Sequence, residues 1–234
     1  MNMIENIALY IHIFLGLIAI VAGSIALYAK KGQITHIKFG QIFSLTMVVS
    51  SSIGAVIGLL NYSDLFITFL AGVLSVTLVI SGIQTFKSNR QHSLIYERGV
   101  AILNVLNYLV ILCLALWATR TPNKVLYGFH AEDYFYLSVI SLLVLIGDVR
   151  YFLFGGVTRP YIVCRHIWRM CIGFFIAVGS AFTGPGMKVF PDYIQKSGVL
   201  SVPEIAILII MFIWLFRVKL LKKIPSIKRT FIQS

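Results

Sequence analysis

The sequence predicts an all-α polytopic transmembrane helical bundle of seven helices, with the N-terminus outside and the C-terminus cytoplasmic. Three observations predict it. Apolar residues make up 59% of the 234-residue chain and charged residues 12%, and the mean hydropathy is +0.90, a balance that soluble domains do not carry. Seven apolar runs reach the length of about 20 residues that a helix needs to cross the hydrocarbon core. Basic residues alternate from one connection to the next, as orientation in a membrane demands.

The first run, Ile7 to Ala29, follows MNMIENIALY, which carries an acid in place of a basic signal region and continues too far for a cleaved segment. It is expected to stay as helix one. The others run Phe39 to Leu60, Leu65 to Phe86, Val100 to Thr119, Phe135 to Gly155, Val163 to Phe182 and Ile205 to Leu221. Their connections are short, so sequential helices are expected to lie antiparallel. With the N-terminus outside, fifteen of the 20 Lys and Arg residues fall in cytoplasmic segments, and only Arg120, Lys124, Lys188 and Lys196 fall outside; Arg169 stays within helix six. Omitting one helix destroys that asymmetry. The transmembrane domain covers residues 1–222, and the tail, 223–234, is basic and cytoplasmic, suited to anionic inner-leaflet lipid.

A net charge of +12 points to topology and not to a nucleic-acid partner, because the charges sit in short connections instead of on one face. Cys113, Cys164 and Cys171 lie inside apolar runs with no paired spacing, which argues against a disulfide frame or a structural zinc site. Gly54 and Gly58 form a GxxxG on helix two, a surface that another backbone approaches closely, chiefly for packing within the bundle and alternatively in a homo-oligomer.

Ionisable side chains inside a span cost about 2.5–3.5 kcal/mol each on insertion scales, so they mark the place to look for function. Asp148 on helix five and Arg169 on helix six are equidistant from the turn between them, which predicts an ion pair about 10 Å inside the cytoplasmic boundary at 1.5 Å rise per residue. Arg165 and His166 share a broad sector of helix six with Arg169, and Asn104 and Asn107 lie three apart on one face of helix four. These six residues define a cytoplasm-facing ligand pocket or proton path. A structural clasp is the competing expectation.

Histidines offer a second chemistry. A transmembrane b-type haem takes two imidazoles from different helices at matching depth. His12 and His36 lie at opposite membrane faces, so His36 with His166 is the pair that fits, and His12 has only the outer-loop His130 near it. No Walker A, GxSxG, HExxH or EF-hand pattern occurs, and helix seven has no lysine at mid-depth for a retinal Schiff base. Nothing assembles a nucleophile with a base, so the chain is not expected to be an enzyme.

His12 with Gly16 and Gly23, KGQITHIKFG from Lys31 to Gly40, and RHIWRMCIGFFIAVGSAFTG from Arg165 to Gly184 resemble a bacterial family of small multi-pass membrane proteins of unknown function. Its pattern is an HxxxG first helix, a second HxxxG after a basic loop and a late RHxxRM helix. The resemblance implies a shared seven-helix bundle and directs attention to His12, His36, Arg165, His166 and Arg169. The expectation is therefore a bacterial inner-membrane protein that transports or binds a small ligand, with a haem-binding redox protein and a membrane scaffold or assembly partner as alternatives.

Overall fold

The computed structural model describes residues 3–86, 90–154 and 159–220. The basic tail, 223–234, and the domain boundary before it fall outside these residues. Eight α-helices follow one another: α1 (Met3–Tyr28), α2 (Ile34–Leu60), α3 (Tyr62–Gln84), α4 (Arg90–Ala118), α5 (Ala131–Phe154), α6 (Arg159–Phe182), the five-residue α7 (Asp192–Lys196) and α8 (Val202–Leu220). Seven of them are long and apolar enough to cross a membrane, which makes this the architecture of a multi-pass membrane protein.

Leu, Ile, Val and Phe cover much of the outside of the bundle, and Ser, Thr and Asn together with Glu97, Asp148, Arg165 and Arg169 share its interior with apolar side chains. The two largest fully buried side chains are Arg165 and Arg169. In hydrocarbon, apolar side chains need no shelter and polar ones do, so this is the pattern that a lipid solvent imposes.

Each of the seven long helices matches an expected span to within about five residues except α4, which begins at Arg90 and not near Val100. That extension is decisive for the site, because it carries Glu97 into the bundle, where it is 2% exposed. Between α4 and α5 the chain forms a two-strand hairpin, β1 (Val125–Leu126) with β2 (Phe129–His130). Its turn residues Tyr127 and Gly128 both have positive φ, as two-residue hairpins of the primed type require. The Tyr127 ring is held in that backbone state by edge contacts to Tyr62 at 5.9 Å and Trp117 at 6.5 Å.

Two apolar cores stabilise the bundle. One joins α1, α2, α6 and α8 around Phe43, Met47, Phe174 and Met211, and the other joins α3, α4 and α5 around Leu74, Leu78, Ile111 and Tyr134. The helix-two glycines are spent inside the chain. A Cβ on Gly58 would stand 2.6 Å from the backbone nitrogen of Phe69 on α3, and one on Gly54 would stand 2.7 Å from the His12 ring. The close approach therefore serves helix packing within one chain, and a homo-oligomer through helix two would have to use other residues of that helix.

The helices group unevenly. The α4–α5 hairpin packs closely on itself and leans on α3, whereas α6 packs on α3 and α8; the backbones of α4 and α5 hardly approach that of α6. What spans the seam between the hairpin and α6 is side chains. Trp168 reaches across onto α5 where Gly147 leaves room, since a Cβ there would lie 2.6 Å from the indole.

Candidate functional site

Among the described residues, both buried acids belong to the α4–α5 hairpin and both buried arginines belong to α6, so both ion pairs they form cross the same seam. Arg165 and Arg169 are one helical turn apart and point to one side. Arg165 grips Glu97 with two parallel bonds, Nη1 to Oε1 at 2.8 Å and Nη2 to Oε2 at 2.5 Å. Its Nη1 also donates to Thr85 Oγ1 at 3.1 Å, and its guanidinium lies over the Tyr151 ring at 4.1 Å. Fork geometry of this kind is the strongest form of an arginine–carboxylate contact.

The ion pair expected from the hairpin register is present. Arg169 donates through Nη2 to Asp148 Oδ1 and through Nη1 to the Ser81 hydroxyl. Asp148 Oδ2 accepts from Asn104 Nδ2 at 2.7 Å, and Asn104 Oδ1 accepts from Thr77 at 2.7 Å. A chain of bonds thus runs from α3 through α4 and α5 to α6. Arg169 and Asn104 are fully buried and Asp148 is 2% exposed. At low dielectric such charges are tolerated only as satisfied pairs, and here each carboxylate meets a guanidinium. Satisfaction is nevertheless incomplete: among the described residues, three buried side-chain atoms have no hydrogen-bond partner, namely Arg165 Nε, Arg169 Nε and Ser141 Oγ.

Of the six expected pocket residues, Asp148, Arg169, Arg165 and Asn104 come together. Asn107 sits one turn further along α4 and donates to the Leu70 carbonyl on α3 at 3.2 Å. His166 turns away from the arginines and donates from Nδ1 to the Gly82 carbonyl at 3.1 Å, with Phe86 edge-on at 4.9 Å. Sequence reasoning missed Glu97, Ser81, Thr77 and Thr85. Glu97 lies seven residues before Asn104, two helical turns on the same face, and Arg165 had no acid assigned to it; these were the available signals.

His12, His36 and His166 occupy three different settings. His12 forms a reciprocal clasp with α2: its Nδ1 donates to the Ser50 carbonyl at 2.8 Å, and the Ser50 hydroxyl donates to the His12 carbonyl at 2.9 Å. At the opposite end of that antiparallel pair, His36 Nδ1 donates to the Ala26 carbonyl at 2.9 Å. Lys31 caps the same helix end, donating to the Ala26 carbonyl at 3.0 Å and to the Leu27 carbonyl, over the Trp214 ring at 5.1 Å. Half-burial pushes the Lys31 ammonium below its ordinary range. No three His, Cys, Asp or Glu side chains among the described residues converge as a metal site.

Comparison of the chain with protein-family models, with curated proteins and with solved structures finds no match.

Proposed function

We propose that the chain transports or binds a small anionic ligand in a bacterial inner membrane, through the charged network at the seam between α6 and the α4–α5 hairpin. The positive-inside asymmetry supports placing the basic helix ends, and with them the network, toward the cytoplasm. The basic tail then rests on anionic inner-leaflet lipid. Arg169 and Arg165 attract the anionic group, and Asp148 and Glu97 balance their charge when the ligand is absent.

The observation that carries this reading is that both guanidiniums keep an unpartnered Nε although they are fully buried. A clasp selected for stability alone would use every donor, because an unmet buried donor costs about 1–3 kcal/mol. The seam itself is crossed by side chains and not by tight backbone packing, which leaves room for a ligand to come between them.

The test is a panel of small carboxylates and phosphates, screened for thermal stabilisation of the purified protein. At least one is expected to raise the unfolding midpoint, and the double variant Arg169→Leu/Asp148→Leu is expected to stay folded and lose the response. A double variant that responds like the parent would reduce the network to a structural clasp.

Haem binding is the second reading, favoured by one observation. His36 and His166 each commit Nδ1 to a backbone carbonyl, which fixes the ring and makes Nε2 the nitrogen that would ligate, as ligating imidazoles are held. It predicts a Soret band and sharpened visible bands on reduction, both lost in His36→Ala. A colourless protein from cells supplied with haem removes it.

A further inference from the structure

We infer that anion binding at the α6 arginines is coupled to proton uptake by the acids of the α4–α5 hairpin, so that the anion enters together with a proton. This rests on the anion-site reading above and adds the coupling ion. The network holds two arginines and two acids, Glu97 and Asp148, so in the closed bundle its buried charge sums to zero. An anion that simply joined it would leave a net negative charge in a dry interior, which the surroundings do not repay. Two events restore neutrality. The hairpin carries its carboxylate out into water, or the carboxylate accepts a proton and stays.

The geometry favours the second event for Asp148. Its Oδ2 is held by Asn104 Nδ2, and Asn104 is held in turn by Thr77, so the side chain is tied to α4 and α3 independently of Arg169. The charged and titratable groups around it are Arg169 and, one turn away, Arg165 from α6, Glu97 from α4 and Tyr151 on its own helix. From α3 it meets no charge: Thr77, Ser81 and Thr85 supply only hydroxyl groups. Arg169 is therefore the direct counter-charge of Asp148. When an incoming anionic oxygen takes over the Arg169 Nη2 donor, Asp148 loses its counter-charge and takes a proton from water at the basic end of the bundle. The proton bonds to a carboxylate oxygen, Arg169 keeps its own proton, and the charge of the site returns to zero. Release runs the same steps backward.

Acetate, succinate and inorganic phosphate serve as probes, added to protein in lightly buffered nanodiscs of phosphatidylcholine. A probe that binds is expected to alkalinise the medium by about one proton per anion bound, and its affinity is expected to rise about tenfold for each unit of falling pH over the coupled range. Asp148→Asn, which imitates the protonated acid, is expected to bind the same probe without pH dependence and to be stabilised by acetate in place of the lost carboxylate. Nanodiscs containing phosphatidylglycerol separate a soluble anion from a lipid headgroup: if only that lipid produces the stabilisation and the proton uptake, the coupled anion is the headgroup. A probe that binds the parent protein with pH-independent affinity and no proton uptake overturns the coupling and leaves the anion site standing. Failure of every probe and of the anionic lipid to bind either protein overturns both.

Discussion

Replacing Arg169 with Leu alone is expected to destabilise the protein by about 3–5 kcal/mol, because it strands the Asp148 carboxylate in the interior with only Asn104 beside it. The companion variant Arg169→Leu/Asp148→Leu is expected to recover most of that loss, since two apolar side chains replace two charges. Unfolding midpoints of the parent, the two single variants and the double variant complete the cycle. A single variant as stable as the parent would mean that Asp148 reaches water, or takes a proton without cost, contrary to a carboxylate held ion-paired at 2% exposure. The size of the effect follows from the setting: an exposed pair would contribute about 0–1 kcal/mol and leave nothing behind when cut.

A comparable loss is expected for Glu97→Leu, again about 3–5 kcal/mol, with recovery on adding Arg165→Leu. This variant separates two placements of one residue. As part of a solvated basic loop, Glu97 would be replaceable at little cost. Held by both oxygens against Arg165 and 2% exposed, it is not. A neutral result in the same unfolding assay would withdraw α4 from the interior before Val100 and leave Arg165 without its acid. The two arginines lie on one helix and share Ser81 as a neighbour, since Arg165 Nη1 reaches the Ser81 carbonyl at 3.5 Å while Arg169 bonds the hydroxyl. Their losses are therefore expected to be coupled and not additive.

The reason one pair was legible in the sequence and the other was not is physical. Asp148 and Arg169 stand well inside predominantly apolar runs, where the depth of a charge can be counted from the connecting turn. Glu97 is followed by Arg98 and Gly99, so on hydropathy it falls at the very margin of a span, although α4 continues through it. Helix number and approximate ends follow from apolar length, which is set by the bilayer and so survives in one dimension. Partner choice does not survive in this way. Ser81 and Thr85 are ordinary polar residues near a helix end, and only the crossing of α3 with α6 makes them arginine ligands. The same applies to Gly147, whose role is visible only once Trp168 is laid across it. His166 was grouped with the arginines by helical spacing, but its ring turns to the Gly82 carbonyl, because a broad sector of a helix faces two neighbours at once.

The account depends on a seam that opens, and thiol labelling at Ser81 tests that most directly. Ser81 is fully buried between the two arginines in the closed bundle. In a Ser81→Cys variant with Cys113, Cys164 and Cys171 replaced by Ala, a water-soluble anionic thiol reagent added to the purified protein in nanodiscs is predicted to label the site, more slowly when a bound small anion competes for the arginines. A folded variant that stays unlabelled, or that labels at a rate no anion alters, would contradict the account and leave Arg165, Arg169 and their acids as a permanent clasp.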